Sequence, residues 1–136
     1  MTRHPNLRAY LAGVFVPTLV LPFLMILYVL ARYVWDVPIP IERIIIFPLA
    51  AVPNIWGLWN LLYVSSFSHR ISLGLFGAVL PLVLIPLGYV ITRLINFPVP
   101  HFVWSALPVL IPVAVVLYYL VWKHIMGFLN SELSAA

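Results

Sequence analysis

Apolar residues fill this chain in four long blocks, from about Ala9 to Val34, Arg43 to Val64, Ile71 to Ile95 and Phe102 to Lys123. About 20 apolar residues suffice for a helix to cross the bilayer core, so each block predicts a membrane-spanning helix. Short breaks separate them. The turn Asp36-Val37-Pro38-Ile39-Pro40 and the turn from Asn96 to Pro100 carry prolines that favour extended, rigid connections, while Ser65 to Arg70 forms a polar link. Arg3, His4 and Arg8 precede the first block in the manner of a signal peptide. The block exceeds the usual apolar core of about 7 to 15 residues and lacks a small-x-small cleavage site, so it reads as a retained helix.

The blocks repeat in pairs. Gly13, Phe15, Leu19, Leu21, Tyr28, Val29 and Arg32 fall, 61 positions on, upon Gly74, Phe76, Leu80, Leu82, Tyr89, Val90 and Arg93. A one-residue gap at Asp36 then lays Pro38, Pro40 and Pro48 onto Pro98, Pro100 and Pro108. The expected fold is therefore an all-α, polytopic membrane protein of four proline-kinked transmembrane helices, arranged as two tandem helical hairpins in a 2+2 bundle. Residues 1–136 form one transmembrane domain: repeat one at 9–64, the link at 65–70, repeat two at 71–124 and a frayed or interfacial tail at 125–136. Two crossings per copy orient both copies alike and bring both termini to one side.

Composition agrees with this pattern. The chain is 65% hydrophobic and 7% charged, whereas soluble domains carry about a quarter charged residues. Seven Lys and Arg against three acids give a net charge of +4, scattered too widely for nucleic acid and better explained as helix flanks. Arg3, Arg8, Arg70 and Lys123 flank the terminal side and Arg32, Arg43 and Arg93 the other, which favours cytoplasmic termini in a bacterial-type inner membrane. There are no cysteines, which excludes disulfides and thiolate metal sites.

Candidate chemistry is sparse. Prolines recur inside every predicted helix: Pro17 and Pro22, Pro48 and Pro53, Pro81 and Pro86, Pro108 and Pro112. Each one beyond the first turn removes a hydrogen bond and leaves a carbonyl in need of another partner. The most polar deep segment runs from Pro53 to Asn60. Asn54 near mid-helix must face protein, water or ligand, because an unpaired amide in hydrocarbon costs about several kcal/mol. Gly57 shares its face, and Asn60 points towards Trp56 and the interface. Asn54, Trp56, Gly57 and Asn60 thus form the candidate binding cleft, with helix-to-helix glue as the plainer role. Pro53-Asn54-x-x-Gly57 followed by Leu62-Tyr63 is similar to one helix of the small sugar transporters with three-helix repeats. The likeness covers that helix alone, and the two-helix repeat departs from their architecture, so no function is carried over.

At the rims, Arg32, Arg93, Asp36, Glu42 and His101 read as interfacial charges, since they lack the spacing of a metal site. His69 and His124 lie too near water to hold haem between helices, and Ser65, Ser66 and Ser68 beside His69 lack an orienting carboxylate. No metal, cofactor or catalytic activity is expected. Two functions fit: an accessory or scaffold subunit that packs on a membrane-protein partner or on itself, or a homo-oligomeric carrier or channel passing a small solute between the repeats. No acid lies within a span, which argues against proton coupling.

Overall fold

The computed structural model describes residues 4–38, 40 and 46–133. Among them all regular structure is helical. Helix α1 spans Pro5–Tyr33. Helix α2 covers residues 46–67 as a π turn at Ile46–Ala51, an α-helix at Val52–Leu62 and a second π turn at Tyr63–Phe67. Helix α3 spans Leu73–Leu94 and α4 spans His101–Glu132. Three of these, α1, α3 and α4, are long and apolar enough to cross a membrane.

Local chemistry sets several boundaries. Ser72 caps α3, its hydroxyl accepting from Leu75 N at 3.4 Å, which moves the start past the expected Ile71. The first and third helices end alike, with Asp36 at φ 52° and Asn96 at φ 50°. Behind them Val37 N donates to the Ala31 carbonyl at 3.0 Å and Phe97 N to the Thr92 carbonyl at 2.8 Å. Short Asx side chains tolerate this left-handed conformation, and the bonds satisfy carbonyls that the helix ends leave open. Asn96→Val is expected to cost about 1–2 kcal/mol, since a β-branched residue is penalised there, while Asn96→Gly stays near wild type. Denaturant titration of the two variants checks this.

The expected tail, frayed or interfacial, is helical over most of its described length. Residues Gly127–Glu132 continue α4 as helix, because Trp122, Met126 and Asn130 recur every fourth residue and are all buried. Upstream, His101–Leu120 contains no buried residue. Between the two parts lies the π turn Val121–Met126. A residue inserted by a π turn rotates the following face by about 100°, one residue's share of an α-helical turn, which is how one rod presents an unburied half and a core-facing half.

Packing is pairwise, α1 against α2 and α3 against α4. In the first pair the backbones touch: a Cβ on Gly13 would lie 2.5 Å from the Trp56 carbonyl oxygen and 2.7 Å from Gly57 Cα. In the second, a Cβ on Gly77 would fall 2.0 Å from Trp122 Cγ. Trp56 joins the pairs, its ring centroid 5.2 Å from Tyr118 and 5.4 Å from Trp122, in a core with Ala12, Leu80, Leu84 and Met126. Trp59 adds a polar tie, donating from Nε1 to the Phe76 carbonyl at 3.0 Å.

The core sits at one end. Its buried members come from the first half of α1 (Ala9 to Pro17), α2 from Pro53 to Tyr63, the first half of α3 (Gly74 to Leu84) and the last turns of α4. Nothing is buried in α1 beyond Pro17 or in α3 beyond Leu84. Arg8 Nη1 donates to the Leu133 carbonyl at 3.3 Å, so the described beginning and end of the chain meet at the packed end. At the opposite end, where the proline turns lie, no described residue of α1, α3 or α4 is buried.

Candidate functional site

Two polar arrangements stand out, one in each half. In the packed half, Asn60 and Asn130 face each other as a closed amide pair. Asn60 Nδ2 donates to Asn130 Oδ1 at 2.7 Å, and Asn130 Nδ2 returns a bond to Asn60 Oδ1 at 3.0 Å. Asn60 Nδ2 also donates to the Ala9 carbonyl at 2.7 Å. Asn60 is 0% exposed and Asn130 2%. One side chain of α2 thus ties α1 and the end of α4 together, and neither amide retains a hydrogen-bonding atom without a protein partner.

The open half holds a cleft between α3 and α4. Its outer part, about 760 Å³, is lined by Tyr89, Thr92, Arg93, Phe97 and Trp104 among others. An inner part of about 460 Å³ continues inward along Leu84, Gly88, Leu107 and Tyr118, with Leu21 from α1 and Val52 from α2 on the far wall. Volumes of this size suit small-molecule or lipid occupants. Chemically the cleft is graded. The inner walls are almost wholly apolar, and the mouth carries a cation: Arg93 Nε donates to the Tyr89 hydroxyl at 3.2 Å, with its guanidinium carbon 5.6 Å from the Tyr89 ring centroid. Trp104 stands edge-on to the same ring at 5.5 Å and 79°. Thr92 turns its hydroxyl back onto the Tyr89 carbonyl at 2.7 Å.

The residues singled out in the sequence are distributed across these features. Asn54 is exposed; its Oδ1 accepts from the Tyr10 hydroxyl and its Nδ2 donates to the Ala50 carbonyl at 2.6 Å. Trp56 lies in the core, and Gly57 is covered by Tyr10 and Val14 of α1. Asn60, expected towards the interface, is instead fully buried, because α1 and α4 close over it. The four therefore do not line one cleft. Arg93 is at the mouth of the α3–α4 cleft, and Arg32 lies with its guanidinium carbon 5.7 Å from the Tyr33 ring. Asp36 ends the first helix and His101 begins the fourth, both exposed. Glu42 lies outside the described residues. Among the described residues no three His, Asp or Glu side chains converge as for a metal.

Sequence reasoning passed over Tyr89, Thr92 and Asn130. Tyr89 and Arg93 stand four apart, the spacing that makes helical neighbours, and belonged to the repeat signature. Asn130 carried a fainter signal, its place in the Trp122, Met126, Asn130 series. Among the described residues, fold and site together define an all-helical bundle with three helices long and apolar enough to cross a membrane, packed at one end and cleft at the other. Compared with known proteins, the chain matches no family model, no curated relative and no solved structure.

Proposed function

We propose that the chain is a small, non-catalytic integral membrane protein acting as an accessory or scaffold subunit, docking laterally on a membrane-protein partner or a second copy. In this reading residues 46–67 make the fourth crossing, the two hairpins are the two repeats, and both termini are cytoplasmic. The observation that carries it is the unburied, apolar flank of α4. His101–Leu120 has no buried residue, and Val109, Val113 and Val116 are 67%, 49% and 57% exposed. Association in a bilayer proceeds by side-chain packing between such surfaces. The closed amide pair and glycine contacts support the same role, since they make a stiff frame whose two buried amides are spent on each other and on the Ala9 carbonyl.

The absence of native cysteine makes the test direct. Single cysteines at Val109, Val113 and Val116, cross-linked in native membranes, are expected to yield one discrete product with an identifiable membrane protein or a second copy. Cysteines on the packed face, at Leu80 or Met126, yield none. Absence of product from all three valines, together with a monodisperse monomer after mild extraction, overturns the reading.

A further inference from the structure

The α3–α4 cleft combines a cationic mouth with an apolar interior, and its dimensions are those of one leaflet. Arg93 is the penultimate residue of α3, at the level where helix ends meet headgroups. Leu84, on the inner wall, is nine residues earlier, about 14 Å deeper at 1.5 Å per residue, or about half of the 30 Å hydrocarbon layer. The slot therefore runs from the phosphate level to the midplane. We infer that it binds a phospholipid, the headgroup phosphate on Arg93 and Tyr89 and one acyl chain between α3 and α4.

Charge complementarity selects this occupant. Arg93 spends Nε on Tyr89 and stacks near its ring, which holds the guanidinium in place and, among the described residues, leaves the terminal Nη donors for the fork geometry that suits phosphate oxygens. No carboxylate among the described residues pairs with it. The Tyr89 hydroxyl, accepting from Arg93, keeps its own proton to donate. Below the mouth, Trp104 fits the amphipathic layer between headgroup and chain. Gly88 leaves the inner wall without a side chain midway along the slot. A free anion makes no use of the apolar interior, and a chain without a headgroup makes no use of Arg93.

The inference stands apart from the accessory reading: partner cross-linking without lipid binding overturns this one alone, and the reverse overturns only the other. The test is native mass spectrometry of the full chain, purified and delipidated in mild detergent. The probes are dioleoyl phosphatidylglycerol, dioleoylglycerol with the same chains and no phosphate, and glycerol phosphate with the headgroup and no chains. One phosphatidylglycerol per chain is expected to be retained, with the other two bound at least tenfold more weakly. Arg93→Gln lowers retention about tenfold, the scale of a lost charge-assisted bond, and Gly88→Leu, which fills the slot, lowers it similarly. Arg70→Gln on the opposite rim leaves it unchanged. Circular dichroism matched to wild type establishes that each variant is folded, and Arg93→Gln, at an exposed position, decides the outcome if Gly88→Leu does not fold. Unchanged retention in Arg93→Gln overturns the inference. So does equal binding of dioleoylglycerol, which marks a greasy groove, or of glycerol phosphate, which marks a simple anion site.

Discussion

Asn60→Leu lowers the stability of the bundle by about 2–3 kcal/mol in a detergent unfolding titration. Typical hydrogen bonds between membrane helices contribute only about 0.6 kcal/mol, because the alternative state also finds partners. Here the asymmetry of burial outweighs that average. Leucine strands Asn130, which is 2% exposed and has Asn60 as its partner in both bonds of the pair, and an orphaned buried amide costs about 1–3 kcal/mol beyond the lost bonds. The double variant Asn60→Leu/Asn130→Leu is expected to be more stable than Asn60→Leu alone, since no amide is then left unpaired. A double variant whose loss equals the sum of the two single losses would show that the pair is not coupled. Removal of residues 130–136 should behave as Asn60→Leu does, because it strands the other member.

Gly13→Ala has the second large effect, a loss of about 2–3 kcal/mol, the upper end of overpacking costs. The added methyl meets the Trp56 carbonyl oxygen at 2.5 Å and Gly57 Cα at 2.7 Å. These are backbone atoms that cannot rotate away, so α1 and α2 must separate by about 1 Å to restore normal contact. Ala9 lies one turn before Gly13, and its carbonyl bond from Asn60 at 2.7 Å lengthens with the separation. Gly127→Ala is the internal contrast. Its methyl would find Leu73 Cδ2 at 3.8 Å, an ordinary contact, so the helix-propensity gain of about 0.5–1 kcal/mol prevails. Thermal unfolding of the two variants should move in opposite directions; equal shifts would remove the close crossing from the account.

Much of this architecture was legible because hydrophobic length and proline punctuation act locally. The apolar blocks gave helices, and Asx-x-Pro-x-Pro at Asp36 and Asn96 gave matched helix ends in which both residues adopt the left-handed conformation. The candidate site was less legible. Asn54 drew attention as a mid-helix amide, yet Tyr10, 44 residues away, and the Ala50 carbonyl satisfy it. Asn60 looked peripheral because its partner, Asn130, lies 70 residues on in a stretch read as tail. The matched arginines differ in their ring contacts: the Arg93 guanidinium lies by Tyr89, four residues back, and that of Arg32 lies by Tyr33 beside it.

What the sequence alone determined is the helical class, the apolar character of the long segments and the positions of the turns. These follow from composition, periodicity and backbone constraints carried within a few residues. Tertiary structure alone decided which polar groups are spent and which remain available. Pairing Asn60 with Asn130 and opening a cleft beneath Arg93 depend on how α1 and α4 close over α2 and on the face that the π turn at Val121–Met126 presents. Those are contacts between distant segments, and their energies exist only once the helices have packed.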